Sequence, residues 1–202
     1  CLNEEENSLI NFELEDSAKL VQHVESIGDF PNSTSAPALV LASDLYLNIN
    51  DYWIVDVRDS EEFAQGHLES ALNVVHSELK RVVDSLNLLI PFKRIVIVSK
   101  NGQSSSYFTC LLRIAGYTNV YSLNYGMASW NIVFSDDWLQ ALGTSGSIFS
   151  YNNDNYPKND LQSLPKINFP SGLNTIKDKI NYRLEKILED GFKEDNVFVR
   201  SL

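Results

Sequence analysis

Residues 94–107 read RIVIVSKNGQSSSY. The stretch Arg94–Val98 is an almost continuous apolar run, which suits a strand covered on both faces, as in a parallel sheet. A short polar loop containing Gly102 follows, and the hydroxyl residues Ser104, Ser105 and Ser106 then open a helix that Gly116 closes. A strand that passes through a glycine-containing loop into a helix N-terminus makes a cradle for an anion or a reactive side chain. The first residue of that loop is Ser99.

The same strand–loop–helix grammar repeats on both sides. YWIVDV (52–57) is a second buried run, SEEFAQGH a short helix stopped by Gly66, and ALNVV (71–75) a short strand. Residues 77–89 are an amphipathic helix with Ser77 as its expected cap, NVYSL (119–123) a further strand, and GMASWNIVF a further helix. Upstream, residues 38–41 form a short strand, followed by a helix with Ser43 or Asp44 near its N-cap; helical spacing runs from Ser17 through Leu20, Val21, Val24 and Ile27. Alternating strands and helices predict right-handed crossovers and a parallel α/β sheet. After Phe134 the pattern fades into a segment rich in Asn, Ser, Gly and Pro, read as a linker, with Phe149, Tyr151, Tyr156 and Phe169 placed to pin it to a surface. A clear helix then carries Ile176, Ile180, Leu184, Ile187 and Leu188 on one face.

The 202 residues carry 27 acidic and 16 basic side chains, a net charge of −11. A negative field of this size argues against nucleic acid as a partner, because phosphate backbones require clustered cations. Two cysteines, Cys1 and Cys110, supply neither a metal-ligand set nor a disulfide framework, and no metal or cofactor is expected. Cys110, with Phe108, Leu111 and Leu112 around it, reads as a small buried helix residue. His23 and His76 stand in no motif and are expected at the surface.

Two segments then resemble the rhodanese-like superfamily. YWIVDVRDSEEFAQGHLESALNV is similar to its first signature, with the Asp-x-Arg pair, the Glu-Phe and the Gly-His. VIVSKNGQSSSYFTCLLRIAGYTNVYSLNYGMASW resembles the active-loop region and the second signature, through the Gly-Tyr-x-Asn-Val segment and the Gly-x-x-x-Trp ending. The resemblance spans about residues 36–133. It implies a central parallel five-stranded sheet flanked by helices, to which this chain adds N- and C-terminal helical extensions. It assigns structural roles to Asp56, Arg58, Gly66 and His67, and it implies a second glycine where this chain has Tyr125 before Gly126. It divides the chain into a tether and helix (1–33), a rhodanese-like domain (34–135), and a polar linker with a C-terminal helix (136–202).

The resemblance also implies a cysteine at the start of a six-residue loop, where inward-pointing N–H groups and the following helix lower its pKa and steady a persulfide. Here the loop runs without a gap from Ser99 through Lys100, Asn101, Gly102 and Gln103 to Ser104, with Ser105 in the helix. Ser99 stands at the cysteine position. An alcohol forms no persulfide and is a poor nucleophile without a base, and no His or Asp neighbours it in sequence. Cys110, about three helical turns further on, does not reach the cradle. The expectation is a loop without sulfurtransferase chemistry that retains a cradle for a small anion, and a protein that works as a scaffold or binding module.

The N-terminal CLNEEENS resembles a mature bacterial lipoprotein of the Bacteroidetes surface-exported type. That implies acyl chains on Cys1, a membrane as partner, and an outer-membrane or cell-surface location. Val21, Val24 and Gly28 match Leu184, Ile187 and Gly191 at constant offset, and Leu39–Leu41 is echoed by Val197–Val199. Two readings stay open. In one the chain enters a second module, as the silent half of a tandem sulfurtransferase whose cysteine lies beyond Leu202; in the other the C-terminal helix packs back on a single domain.

Overall fold

A computed structural model describes residues 15–27, 38–141 and 163–192. In chain order the elements are α1 (Asp16–Ser26), β1 (Leu39–Val40), α2 (Ala42–Leu47), β2 (Tyr52–Asp56), α3 (Ser60–Gln65), β3 (Leu72–Asn73), α4 (Leu79–Leu89), β4 (Arg94–Val98), α5 (Gln103–Ile114), β5 (Val120–Leu123), α6 (Gly126–Trp130), α7 (Asp136–Ala141) and α8 (Ile176–Asp190). The strands form one sheet in the order β1-β5-β4-β2-β3, every pair parallel. No described helix is long and apolar enough to cross a membrane.

Alternation along the central strands splits the core into two layers. Ile95 and Ile97 of β4 and Val55 of β2 pack with Val83, Leu86, Phe108 and Leu112 under α4 and α5. Val96 and Val98 face the other way, with Ile54, Leu45, Leu68 and Met127. That is why β4 reads as an unbroken apolar run: both of its faces are covered.

α8 belongs to the first layer. Its Leu184 and Leu188 are buried among the α4 and α5 side chains, and Thr175 and Asp178 close a capping box at its start. His76, expected at the surface, is partly buried; its Nδ1 lies 2.5 Å from the Leu188 carbonyl and its ring stacks on Phe108. The echo at residues 197–199 and the aromatics Phe149, Tyr151 and Tyr156 lie outside the described residues.

Other local expectations are corrected. Ser77 caps nothing: residues 76–78 form a 3-10 turn, and α4 starts at Leu79 with no side-chain cap. The strand expected at 71–75 is only Leu72–Asn73. The helix expected through Phe134 stops at Trp130, and Ile132–Phe134 is a 3-10 turn capped by Asn131. Beyond it, where the pattern fades, the chain forms α7. Cys110 is exposed on α5 rather than buried, and the protein atoms that partly cover its thiol push its pKa up.

Candidate functional site

β2 and β4 are neighbours, but the chain leaves β2 toward β3 at one side of the sheet and leaves β4 toward β5 at the other. Their carboxyl ends therefore bracket a crevice where the connections diverge, the usual ligand position in an open parallel sheet. Asp56 and Arg58 leave β2 on one side of it, and Ser99 leaves β4 on the other.

The β2 side is a brace. Asp56 is fully buried and accepts from the Arg58 backbone N–H at 3.0 Å and from Nη2 at 2.7 Å. Arg58 Nη2 also donates to the Gly66 carbonyl at 2.8 Å, and its guanidinium lies 5.6 Å from the centre of the Phe134 ring. Asn73 donates to the Arg58 carbonyl, which joins β3 to the same knot. His67 is held locally, stacked on Phe63 with Nδ1 3.0 Å from the Phe63 carbonyl.

The β4 side is the loop. Ser99 is only 2 % exposed. Its Oγ accepts from the N–H groups of Gly102 (3.1 Å) and Ser105 (3.3 Å) and donates to Ser105 Oγ (2.9 Å). Ser105 Oγ is 2.8 Å from Ser122 Oγ, which is 3.2 Å from Ser106 Oγ. Ser99, Ser105 and Ser122 thus form a buried hydroxyl chain from β4 through α5 to β5. Asn101 accepts from the Gln103 N–H, and Gly102, with φ 88°, turns the chain into α5. The second wall is Gly126: Met127 N–H donates to the Ser99 carbonyl at 2.8 Å, so the two backbones touch.

The mouth is acidic. Lys100, the cation beside Ser99, is ion-paired with Asp137 of α7 and lies 3.7 Å from Glu62. The hydrogen bond that Lys100 donates to the Asp137 carboxylate is the main reason that its pKa is raised. Glu62, Lys100, Val133, Asp136 and Asp137 line a hollow of about 140 Å³. Tyr125 adopts φ 57° and packs against Trp138, with ring centres 5.1 Å apart. α7 therefore leans on the loop through one ion pair and one aromatic contact. The sequence pattern assigns these residues to a linker, because neither contact is local. A larger hollow, about 1090 Å³, lies at the far end of α5 near His23, Tyr117 and Lys177. Two of its cations are engaged, Lys80 by Asp84 and Arg113 by the Val120 carbonyl, and Ser99 does not line it.

The Rhodanese-like domain profile matches residues 41–132. The thiosulfate sulfurtransferase GlpE of Shewanella oneidensis is 32 % identical over 78 residues, covering 39 % of this chain and 74 % of that protein. This chain belongs to the rhodanese-like domain family. GlpE of Pseudomonas aeruginosa (strain LESB58) is 29 % identical over 91 residues, 45 % of this chain and 80 % of that protein. Among solved structures, a rhodanese-related protein of Thermoplasma volcanium is 28 % identical, with a TM-score of 0.39 over 45 % of this chain and 87 % of that one. The matched residues hold α2 to α6; α1, β1, α7 and α8 are described elements outside them.

Proposed function

We propose that this rhodanese-like domain carries out no sulfur transfer at its own loop and serves as a binding module. One observation carries the reading: an alcohol, Ser99 Oγ, sits on the N–H groups of Gly102 and Ser105, buried and with its hydrogen-bonding capacity taken up by them and by the hydroxyl chain. Among the described residues no carboxylate or imidazole is hydrogen-bonded to it to serve as a base, and an alcohol has no sulfur to carry. A small anion at residues 99–105 competes with the Ser99 hydroxyl for those N–H groups, and it meets Asp136 and Asp137 at the mouth.

Thiosulfate-to-cyanide transfer by the wild-type chain is expected at background. Turnover that survives Cys110→Ala overturns the reading. Ser99→Cys sets sulfur against the same two N–H groups at the start of α5, a setting that lowers a thiol's pKa, and transfer is expected to rise above wild type. A silent Ser99→Cys variant beside a silent wild type assigns the loss to the acidic cap as well as to the missing sulfur.

Cys1 is the proposed attachment point for lipid, placing the domain at an outer membrane or cell surface. Each buried methylene of an acyl chain contributes about 0.8 kcal/mol to such anchoring. Mass spectrometry of native protein is expected to show an acylated Cys1, and an unmodified Cys1 rejects the anchor. A second reading, the silent half of a tandem sulfurtransferase, rests on the sequence echo between α1 and α8; against it stands the packing of Leu184 and Leu188 into this domain's own core, while Val21, the echo of Leu184, is exposed. That reading requires a second loop beginning with cysteine in the reading frame after Leu202.

A further inference from the structure

At the opposite end of β4 from Ser99, the chain turns from α4 into the strand through Leu88, Leu89, Ile90, Pro91 and Phe92. The four large apolar side chains of this turn face solvent, Leu88 at 84 % and Phe92 at 86 % exposure. A bulky residue with positive φ is a strained conformation, and Phe92 has φ 64°. The turn is nevertheless held firmly. Asn119 donates to Asn87 Oδ1 at 2.7 Å and to the Lys93 carbonyl at 2.8 Å, clamping both sides of it. Lys93 lies 4.2 Å from the centre of the Trp53 ring, and Arg94 donates to Tyr52 Oη at 2.8 Å.

We propose that the Leu88–Phe92 turn is a wedge that enters the interfacial layer of a lipid bilayer. Its shape favours lipid over a protein partner. One projecting turn offers far less than the roughly 800 Å² per side of a stable protein interface, whereas a fluid lipid surface needs no complementary contour. Its charge favours lipid headgroups too. From Asn87 to Val98, the turn and the strand it leads into, the chain has two cations and no acidic residue, although its net charge is −11. Lys93 and Arg94 sit at the base of the wedge; the carboxylates beside them are Asp51, 3.5 Å from Arg94, and Asp44, which acts with Asp51 on the neighbouring Tyr52. Cationic heads on apolar stems reach the phosphate layer while the wedge sits below it. Seated this way, the domain turns the Ser99 loop and α7 away from the bilayer, about 16 Å along β4 at the usual strand rise. The contact requires neither an acyl chain on Cys1 nor the absence of sulfur transfer.

The test is flotation of the full chain, unacylated, with vesicles of phosphatidylethanolamine and phosphatidylglycerol in equal parts. Wild type is expected to float. Leu88→Ser combined with Phe92→Ser is expected to lower the vesicle-bound fraction roughly tenfold or more, with an unchanged circular dichroism spectrum. Wild type that stays at the bottom of the gradient overturns the proposal, as does a folded double variant that floats equally well. A dimer in analytical ultracentrifugation that the double variant loses, without flotation of wild type, assigns the turn to contacts between copies of the chain instead.

Discussion

Arg58→Ala is expected to cost about 3–5 kcal/mol of unfolding free energy, because it strands a buried carboxylate. Asp56 has no exposure and takes its hydrogen bonds from the Arg58 backbone, Nε and Nη2. The same substitution releases the Gly66 carbonyl and removes the cation next to Phe134. Urea denaturation at neutral pH reads the loss directly. Asp56→Leu in the Arg58→Ala background removes the orphaned charge and is expected to return part of the stability, since the penalty lies in the unpaired ion more than in the lost attraction. A single variant that unfolds at the wild-type midpoint defeats the assignment of this pair as a brace.

Gly126→Ala is expected to cost ~3 kcal/mol or more, combining a left-handed backbone with overpacking. Gly126 has φ 55°, and a Cβ there stands 2.1 Å from the Ser99 carbonyl oxygen and 2.7 Å from the Gly102 nitrogen. Both are backbone atoms, so no side chain can swing aside. Relief requires the Ser99 loop to move off α6, breaking the bonds from Met127 and Ala128 to the Ser99 and Lys100 carbonyls. Gly116→Ala is the control. Gly116 also has a positive φ, 102°, but a Cβ there meets nothing within 4 Å. The difference between the two thermal or urea midpoints isolates the clash. Equal losses at both sites show that backbone conformation alone accounts for Gly126.

These two positions explain why so much of the scaffold was legible. An Asp and an Arg two residues apart after a buried strand can pair without help from the rest of the chain, and the Gly-x-x-x-Trp ending marks the close approach of α6 by residue type alone. The cap was not legible for the opposite reason. α7 is only six residues long, too short for a periodic stripe, and what holds it, Lys100 on Asp137 and Tyr125 on Trp138, lies outside its own turns. Local sequence puts His76 at the surface, because its partner is a carbonyl of α8, 112 residues away. Cys110 was misplaced inside because its apolar neighbours along α5 point elsewhere: Phe108 and Leu112 face the core, and Cys110 does not.

By itself, the sequence determined the parallel α/β architecture, the order of strands and helices from β1 to α6, and the absence of sulfur at the head of the loop. Those properties follow from short-range periodicity and from the chemistry of one side chain. Only the tertiary structure decided what surrounds that side chain. It brought Ser105 and Ser122 to Ser99 as a buried hydroxyl chain, laid acidic α7 across Lys100, seated α8 in the core, and left Leu88–Phe92 bare at the far end of β4. Each depends on which elements pack together, and local spacing carries no record of a partner contributed from a distant part of the chain.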